Sequence, residues 1–195
     1  MQIEHLLHWK LNYEHQPLND GQPIRLGGAK VDFKLRKWEK SDAENFFKYS
    51  SNIGIAENMR ASFPSTLEDS KTIVEDFSCN DEAQQCCRAI VVNGEAAGCI
   101  ALFVKNDVYS KSAEIAYWLG EPFWGKGIMS RAIGQLCQIG FEQYDIVRIS
   151  AEPYAHNIGS RKALEKAGFV LEGIMKKSVY KKGKFFDSCM YALVK

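Results

Sequence analysis

The stretch that most restricts the fold of this chain is AEIAYWLGEPFWGKGIMSRAIGQL, residues 113–136, with VRISAEPY following at 147–154. Residues 112–120 are rich in strand-forming types. Met129, Ala132, Ile133, Leu136, Cys137, Gly140 and Phe141 then fall at i, i+3, i+4, i+7, i+8, i+11 and i+12, the apolar stripe of a helix. A second strand covers 147–154. A strand–helix–strand unit over 112–154 suits a right-handed crossover between two parallel strands.

Gly125 and Gly127 stand between the first strand and the helix. A helix start offers unpaired N–H groups and the positive end of the dipole. Bare backbone there lets the oxygens of a phosphate or pyrophosphate come close. Taken alone, the two glycines serve equally well as a tight turn. The spacing fits neither GxxxxGK[ST] nor GxGxxG, because Ser130 stands at the third glycine position.

The rest of the chain surrounds this unit with alternating elements. VDFKLRKW (31–38) reads as a half-buried strand, and Ser41-Asp42 as the cap of a short helix over DAENFFKYSS. Residues 63–77 form a second helix, opened by Ser65 or Thr66 with Glu68 and Asp69 in its first turn. CCRAIVV and AAGCIALFVK flank Asn93-Gly94 as a hairpin. HNIGSRKALEKAG (156–168) is a helix capped by Asn157 and stopped by Gly168. Two last strands close on a KKGK turn. This is an α/β mix. Residues 1–29 end in the Gly/Pro-rich LNDGQPIRLGGAK and read as an N-terminal extension to a domain over 30–195.

Charge and cysteine usage exclude some roles. With 25 basic against 24 acidic residues, whole-chain charge gives no reason to expect direct nucleic-acid binding. No run approaches the ~18 apolar residues of a membrane span, and the first twenty residues do not read as a secretory signal. The cysteines at 79, 86, 87, 99, 137 and 189 lack CxxC spacing and form no metal pattern with the histidines. They read as reduced thiols of a cytoplasmic protein, with no metal expected.

Four pieces then occur in a telling order: LRKWEKSDAENFF, STLEDSKTIVEDF, AEIAYWLGEPFWGKGIMSRAIGQL and HNIGSRKALEKAGFVLEG. Together they resemble the GNAT superfamily of N-acetyltransferases. The resemblance is closest to the RimJ/RimL-like branch, which acetylates the N-termini of ribosomal proteins. It covers about residues 31–193. It implies an α+β fold with a mixed sheet of six to seven strands, about four flanking helices and splayed central parallel strands. Acetyl-CoA is the implied cosubstrate. Its pyrophosphate would lie on Trp124, Gly125, Lys126, Gly127, Ile128, Met129 and Ser130. Its pantetheine arm would pair with the strand carrying Ile115, Tyr117, Trp118 and Leu119. Asn157, Ser160 and Lys162 complete the expected contacts, and Arg161 is a further candidate for phosphate. The chain has Pro122 where the family signature expects Gln or Arg, which removes one side-chain contact but not the backbone cradle.

The implied chemistry is direct attack of an amine on the thioester through a tetrahedral intermediate. It needs a proton acceptor, oxyanion donors and a partner for the leaving thiol. Glu114, beside the expected slot, and Glu172, which matches a glutamate of the ribosomal-protein branch, are the base candidates. Many family members carry a tyrosine where this chain has Leu164, so Ser160, on the face of Asn157, is the expected thiol partner. The acceptor is expected to be a protein N-terminus. Glu57, Glu68 and Asp69 keep a small polyamine or antibiotic amine open as acceptor, and the missing tyrosine keeps open an acyl-CoA-binding module without turnover. A monomer or homodimer is expected, by analogy with the family.

Overall fold

The computed structural model describes residues 31–60, 64 and 66–195; the expected extension over 1–29 lies outside these residues. Twelve regular elements follow in order: β1 (Lys34–Arg36), α1 (Ala43–Ser50), α2 (Ile53–Asn58), α3 (Leu67–Ser78), β2 (Gln85–Val92), β3 (Glu95–Val104), β4 (Ser112–Leu119), α4 (Ile128–Gln143), β5 (Arg148–Ala151), α5 (Ile158–Lys166), β6 (Val170–Lys181) and β7 (Lys184–Val194). The strands form one mixed sheet in the order β1-β2-β3-β4-β5-β7-β6.

Local chemistry explains most of the boundaries. Thr66 opens α3 with a reciprocal cap: its hydroxyl accepts from the Asp69 N–H at 3.1 Å, and the Asp69 carboxylate accepts from the Thr66 N–H at 3.0 Å. Asn157 caps α5, accepting from the Ser160 N–H at 3.1 Å. The start of α1 departs from the expected Ser41-Asp42 cap. Asp42 lies inside a 3-10 turn over Lys40–Asp42 and reaches back to the Glu39 N–H at 2.9 Å. It is buried, and Arg36 grips it with two bonds of 2.6 and 2.8 Å. Burial pushes this carboxyl up, but the Arg36 and Glu39 bonds outweigh it and hold it below the ordinary range. A fifth helix, α2, goes beyond the four expected. Asn52 starts it by accepting from the Gly54 N–H at 2.7 Å, and six residues are too few to show a period.

The two faces of the sheet carry different helices. Gly140 of α4 comes so close to Leu102 of β3 that a Cβ there would stand 2.5 Å from Cδ2. Ile100, Ile133 and Leu136 are fully buried on the same side. On the other face, Phe46 of α1 meets Trp38 and Trp118 edge-on, with ring centroids 5.4 and 5.3 Å apart. All six cysteines are free, and only Cys79 is exposed. Burial pushes the Cys137 thiol up to about 12, so it is inert at neutral pH.

The crossover delivers the parallel pair that its sequence demands, but the pair is short. β4 meets β5 only through Ser112↔Arg148, Ala113↔Ile149 and Glu114↔Ser150. On its other side β4 stays paired with β3 as far as Leu119. Among the described residues, the edge of β4 that faces β5 has no strand partner from Ile115 onward.

Candidate active site

A cavity of about 1010 Å³ occupies this parting of the strands. It runs from the starts of α4 and α5 through the gap to the opposite face of the sheet. There Asn58, Met59 and Arg60 at the end of α2 line it together with Ile73, Phe77 and Phe103. Ile115, Tyr117, Trp118 and Leu119 form its β4 wall.

The glycine loop adopts the form its sequence predicts. Gly125 and Gly127 have φ of 74° and 67°, a left-handed conformation that side chains disfavour. Gly127 is the N-cap of α4 and gives it no side-chain cap, so the first-turn N–H groups are left without a side-chain acceptor from the cap residue. A Cβ built on either glycine meets nothing within 4 Å, which leaves an open cradle of the shape a diphosphate fills. Trp124 braces the loop, its indole N–H donating to the Leu119 carbonyl at 2.6 Å. Trp124, Gly125, Gly127, Ile128, Met129 and Ser130 all line the cavity. Lys126 does not: its ammonium lies over the Phe123 ring, 5.5 Å from the centroid.

Asn157, before α5, and Ser160 and Lys162 on it line the cavity. Arg161, the further candidate for phosphate, is absent from the lining; its guanidinium donates to the Tyr191 hydroxyl at 3.2 Å and to the Ala155 carbonyl at 3.1 Å. Leu164, where a tyrosine was the family habit, is fully buried. A phenol reaches this end of the cavity from a different element. The Tyr117 hydroxyl of β4 lies 2.8 Å from Ser160 Oγ. Burial drives the Tyr117 phenol well above its usual range, and the Ser160 bond offsets this only in part, so it stays protonated at neutral pH.

The two glutamates named from the sequence part company. Glu114 sits at the fork where β4 leaves β5, bonded to Arg60 and 4.0 Å from the Lys105 ammonium. Glu172 is not among the residues that line the cavity. It forms a two-pronged ion pair with Arg148, at the start of β5 and the end of the β4–β5 seam remote from the glycine loop. Arg148 holds its carboxyl below the ordinary range, which is the wrong direction for a base.

Glu152, which the sequence reading passed over, lines the cavity just beyond the end of β5. Its carboxylate accepts from Ser188 Oγ at 2.8 Å and from Arg60 at 3.3 Å. The signal for it was positional: Glu152 is two residues past Ser150, the partner of Glu114, and so shares its face. Glu57, Glu68 and Asp69 are absent from the lining; Glu68 pairs with Lys71 and Asp69 is spent on the α3 cap.

Comparison with known proteins agrees with this geometry. The family model described as acetyltransferase (GNAT) domain matches residues 32–170. An uncharacterized N-acetyltransferase, p20, of Bacillus licheniformis is 30% identical over 164 residues, covering 83% of this chain and 92% of that protein. The ribosomal-protein-serine acetyltransferase of Escherichia coli is 30% identical over 92 residues, 47% of this chain and 51% of that one. The crystal structure of the microcin C7 self-immunity acetyltransferase MccE, in complex with acetyl-CoA and AMP, superposes with a TM-score of 0.74 at 26% identity, covering 84% of this chain and 92% of that one. A glycine cradle, a split parallel pair and a matched family model over most of the domain lead to one assignment: the chain belongs to the GNAT family and is an acetyl-CoA-dependent N-acetyltransferase.

Proposed function

We propose that this enzyme acetylates the N-terminal α-amino group of a protein, with ribosomal proteins as the acceptor class. The observation that carries this reading is the passage through the sheet. Acetyl-CoA enters from the α4 and α5 side, and the amine meets it from the far face, beside α2. The Escherichia coli relative named for a ribosomal-protein serine supports the acceptor class. So does basicity: an α-amino group has a pKa of about 7.7–8.0 against about 10.4 for a lysine, so it sheds its proton more readily. Such an acceptor places the enzyme in the cytoplasm.

Acetyl-CoA supplies an activated acyl thioester. The first-turn amides of α4 hold its diphosphate, and the unpaired edge of β4 beyond Glu114 receives its amide groups. Ser160, bonded to Tyr117, faces the leaving sulfur and relays a proton toward it. Glu114, with Glu152 beside it, takes the proton of the amine, directly or through a water. Glu172 leaves this scheme, because its carboxylate is committed to Arg148.

The cavity lining gives the small-polyamine alternative little help, since none of its expected acids is there. The Tyr117–Ser160 pair answers the missing tyrosine that had favoured a module without turnover. Thiol release from acetyl-CoA, measured with N-terminal peptides of ribosomal proteins and with a panel of small amines, separates the readings. Turnover confined to small amines refutes a protein acceptor. Acetyl-CoA binding without thiol release from any amine refutes catalysis.

A further inference from the structure

Arg60 stands at the far mouth of the passage and touches both strands of the fork. One arm of its guanidinium bonds Glu114 on β4; the other reaches Glu152, just past β5, at 3.3 Å. Two carboxylates facing one gap repel each other, and a cation between them removes that penalty. Lys105 stands 4.0 Å from Glu114 alone; the cation that bridges both carboxylates is Arg60, and it is not fixed by packing, because its side chain is 45% exposed. Arg60 lines the cavity and Glu114 does not, so the guanidinium screens Glu114 from the space. The substrate of this reaction is itself a cation before it reacts.

An apolar wall starts at the same point. Register sets Phe103 directly across from Glu114, then Ala101 across from Ala116 and Cys99 across from Trp118. These side chains share one face of the sheet. Ile73 and Phe77 of α3 lie over the same space. Among the described lining residues, the other lysines and arginines are Lys162 and Lys166, on α5 at the cosubstrate side.

We propose that Glu114 and Glu152 form the ammonium subsite of the acceptor, that Arg60 occupies it as a stand-in cation until the acceptor displaces it, and that the adjoining apolar wall selects amines attached to an apolar or aromatic group. This rests on the reading of the cavity as an amine-acetylation site, and it deepens that reading by naming the class of acceptor. For a protein substrate, the first residue carries the apolar side chain, as Leu or Phe does.

The test is steady-state thiol release at saturating acetyl-CoA. The acceptors are peptides that differ only in a first residue of Phe, Leu, Ser or Asp, with phenethylamine and ethanolamine run alongside. Peptides beginning with Phe or Leu, and phenethylamine among the amines, have KM lower by about tenfold or more. Arg60→Ala, which removes the bridging cation and leaves Lys105 beside Glu114, lowers the acceptor KM by about fivefold and leaves the acetyl-CoA KM unchanged. Arg60→Lys, which keeps a cation, stays near the parent value. Glu152→Gln raises the acceptor KM. An acceptor KM that is unchanged or raised in Arg60→Ala overturns the stand-in role, and a preference for Ser, Asp or ethanolamine overturns the apolar selection. Turnover of phenethylamine with no peptide accepted refutes the protein acceptor alone, while the same KM comparison on the amine still decides the subsite.

Discussion

Replacing Gly127 by alanine separates what the glycine does for the fold from what it does for the cosubstrate. At φ 67° an alanine is strained, while its Cβ meets no atom within 4 Å, so the cost to the folded chain is conformational only. A left-handed residue costs roughly 1–2 kcal/mol, and the stiffer unfolded chain returns about 0.4–1 kcal/mol. The net loss is about 1 kcal/mol, a fall in Tm of roughly 2–4 °C for a chain of this size. The effect on ligand is larger, because the methyl stands where the diphosphate must approach the amides of α4. Losing one hydrogen bond to a charged group costs about 1.5–3 kcal/mol, or roughly 10- to 100-fold in Kd. Gly134 is the control. It lies exposed within the same helix, also with nothing within 4 Å of a built Cβ. Gly134→Ala should stabilise the fold by about 1 kcal/mol and leave the Kd untouched. Calorimetric titration with CoA, together with thermal unfolding, measures both quantities. If Gly127→Ala lowers Tm but binds CoA like the parent, the glycine serves only the turn, and the cradle argument fails.

Further outcomes follow from neighbouring contacts. Tyr117→Phe and Ser160→Ala should each lower kcat by about fivefold or more through loss of one hydrogen bond at the leaving sulfur, and the double variant should be little worse than either alone; independent, multiplying effects would refute a shared relay. Glu172→Gln should keep kcat and the acceptor KM within about twofold, since its half-exposed pair with Arg148 is worth little and lies off the cavity; a loss of kcat of tenfold or more restores it as the base. The depressed Asp42 carboxyl adds stability that is fully present at neutral pH and is lost as pH falls through its folded-state pKa. Urea unfolding at pH 7 and pH 3 should therefore show a smaller acid loss for Asp42→Asn than for the parent, and equal losses would refute the assignment.

How much of this was legible depended on whether the signal was local. The α4 stripe, the Thr66 and Asn157 caps and the glycine loop are written within a few residues of one another, and each appears where its chemistry puts it. Helix α2 was missed because six residues make fewer than two turns, and because its cap, Asn52, is also held by Glu121 from across the chain. Glu172 misled because it sits in a matching motif, while its fate is set by Arg148, which arrives from β5. The fork of Glu114, Arg60 and Glu152 joins three distant segments and has no sequence period to announce it. The motif implies a cosubstrate contact for Tyr117, with the core or the acceptor channel as its other places; its position beside Ser160 depends on how far β4 runs past the end of β5.

The early end of β5 has a consequence for solubility as well as for chemistry. Bare strand borders invite other chains to add on, and proteins spend charge, proline or covering loops to prevent it. Here, among the described residues, the unpaired border of β4 lies in the middle of the sheet and between two helical layers, away from the outer edges at β1 and β6. A backbone ribbon placed there suits a slim, amide-bearing guest better than a second chain seeking an outer edge.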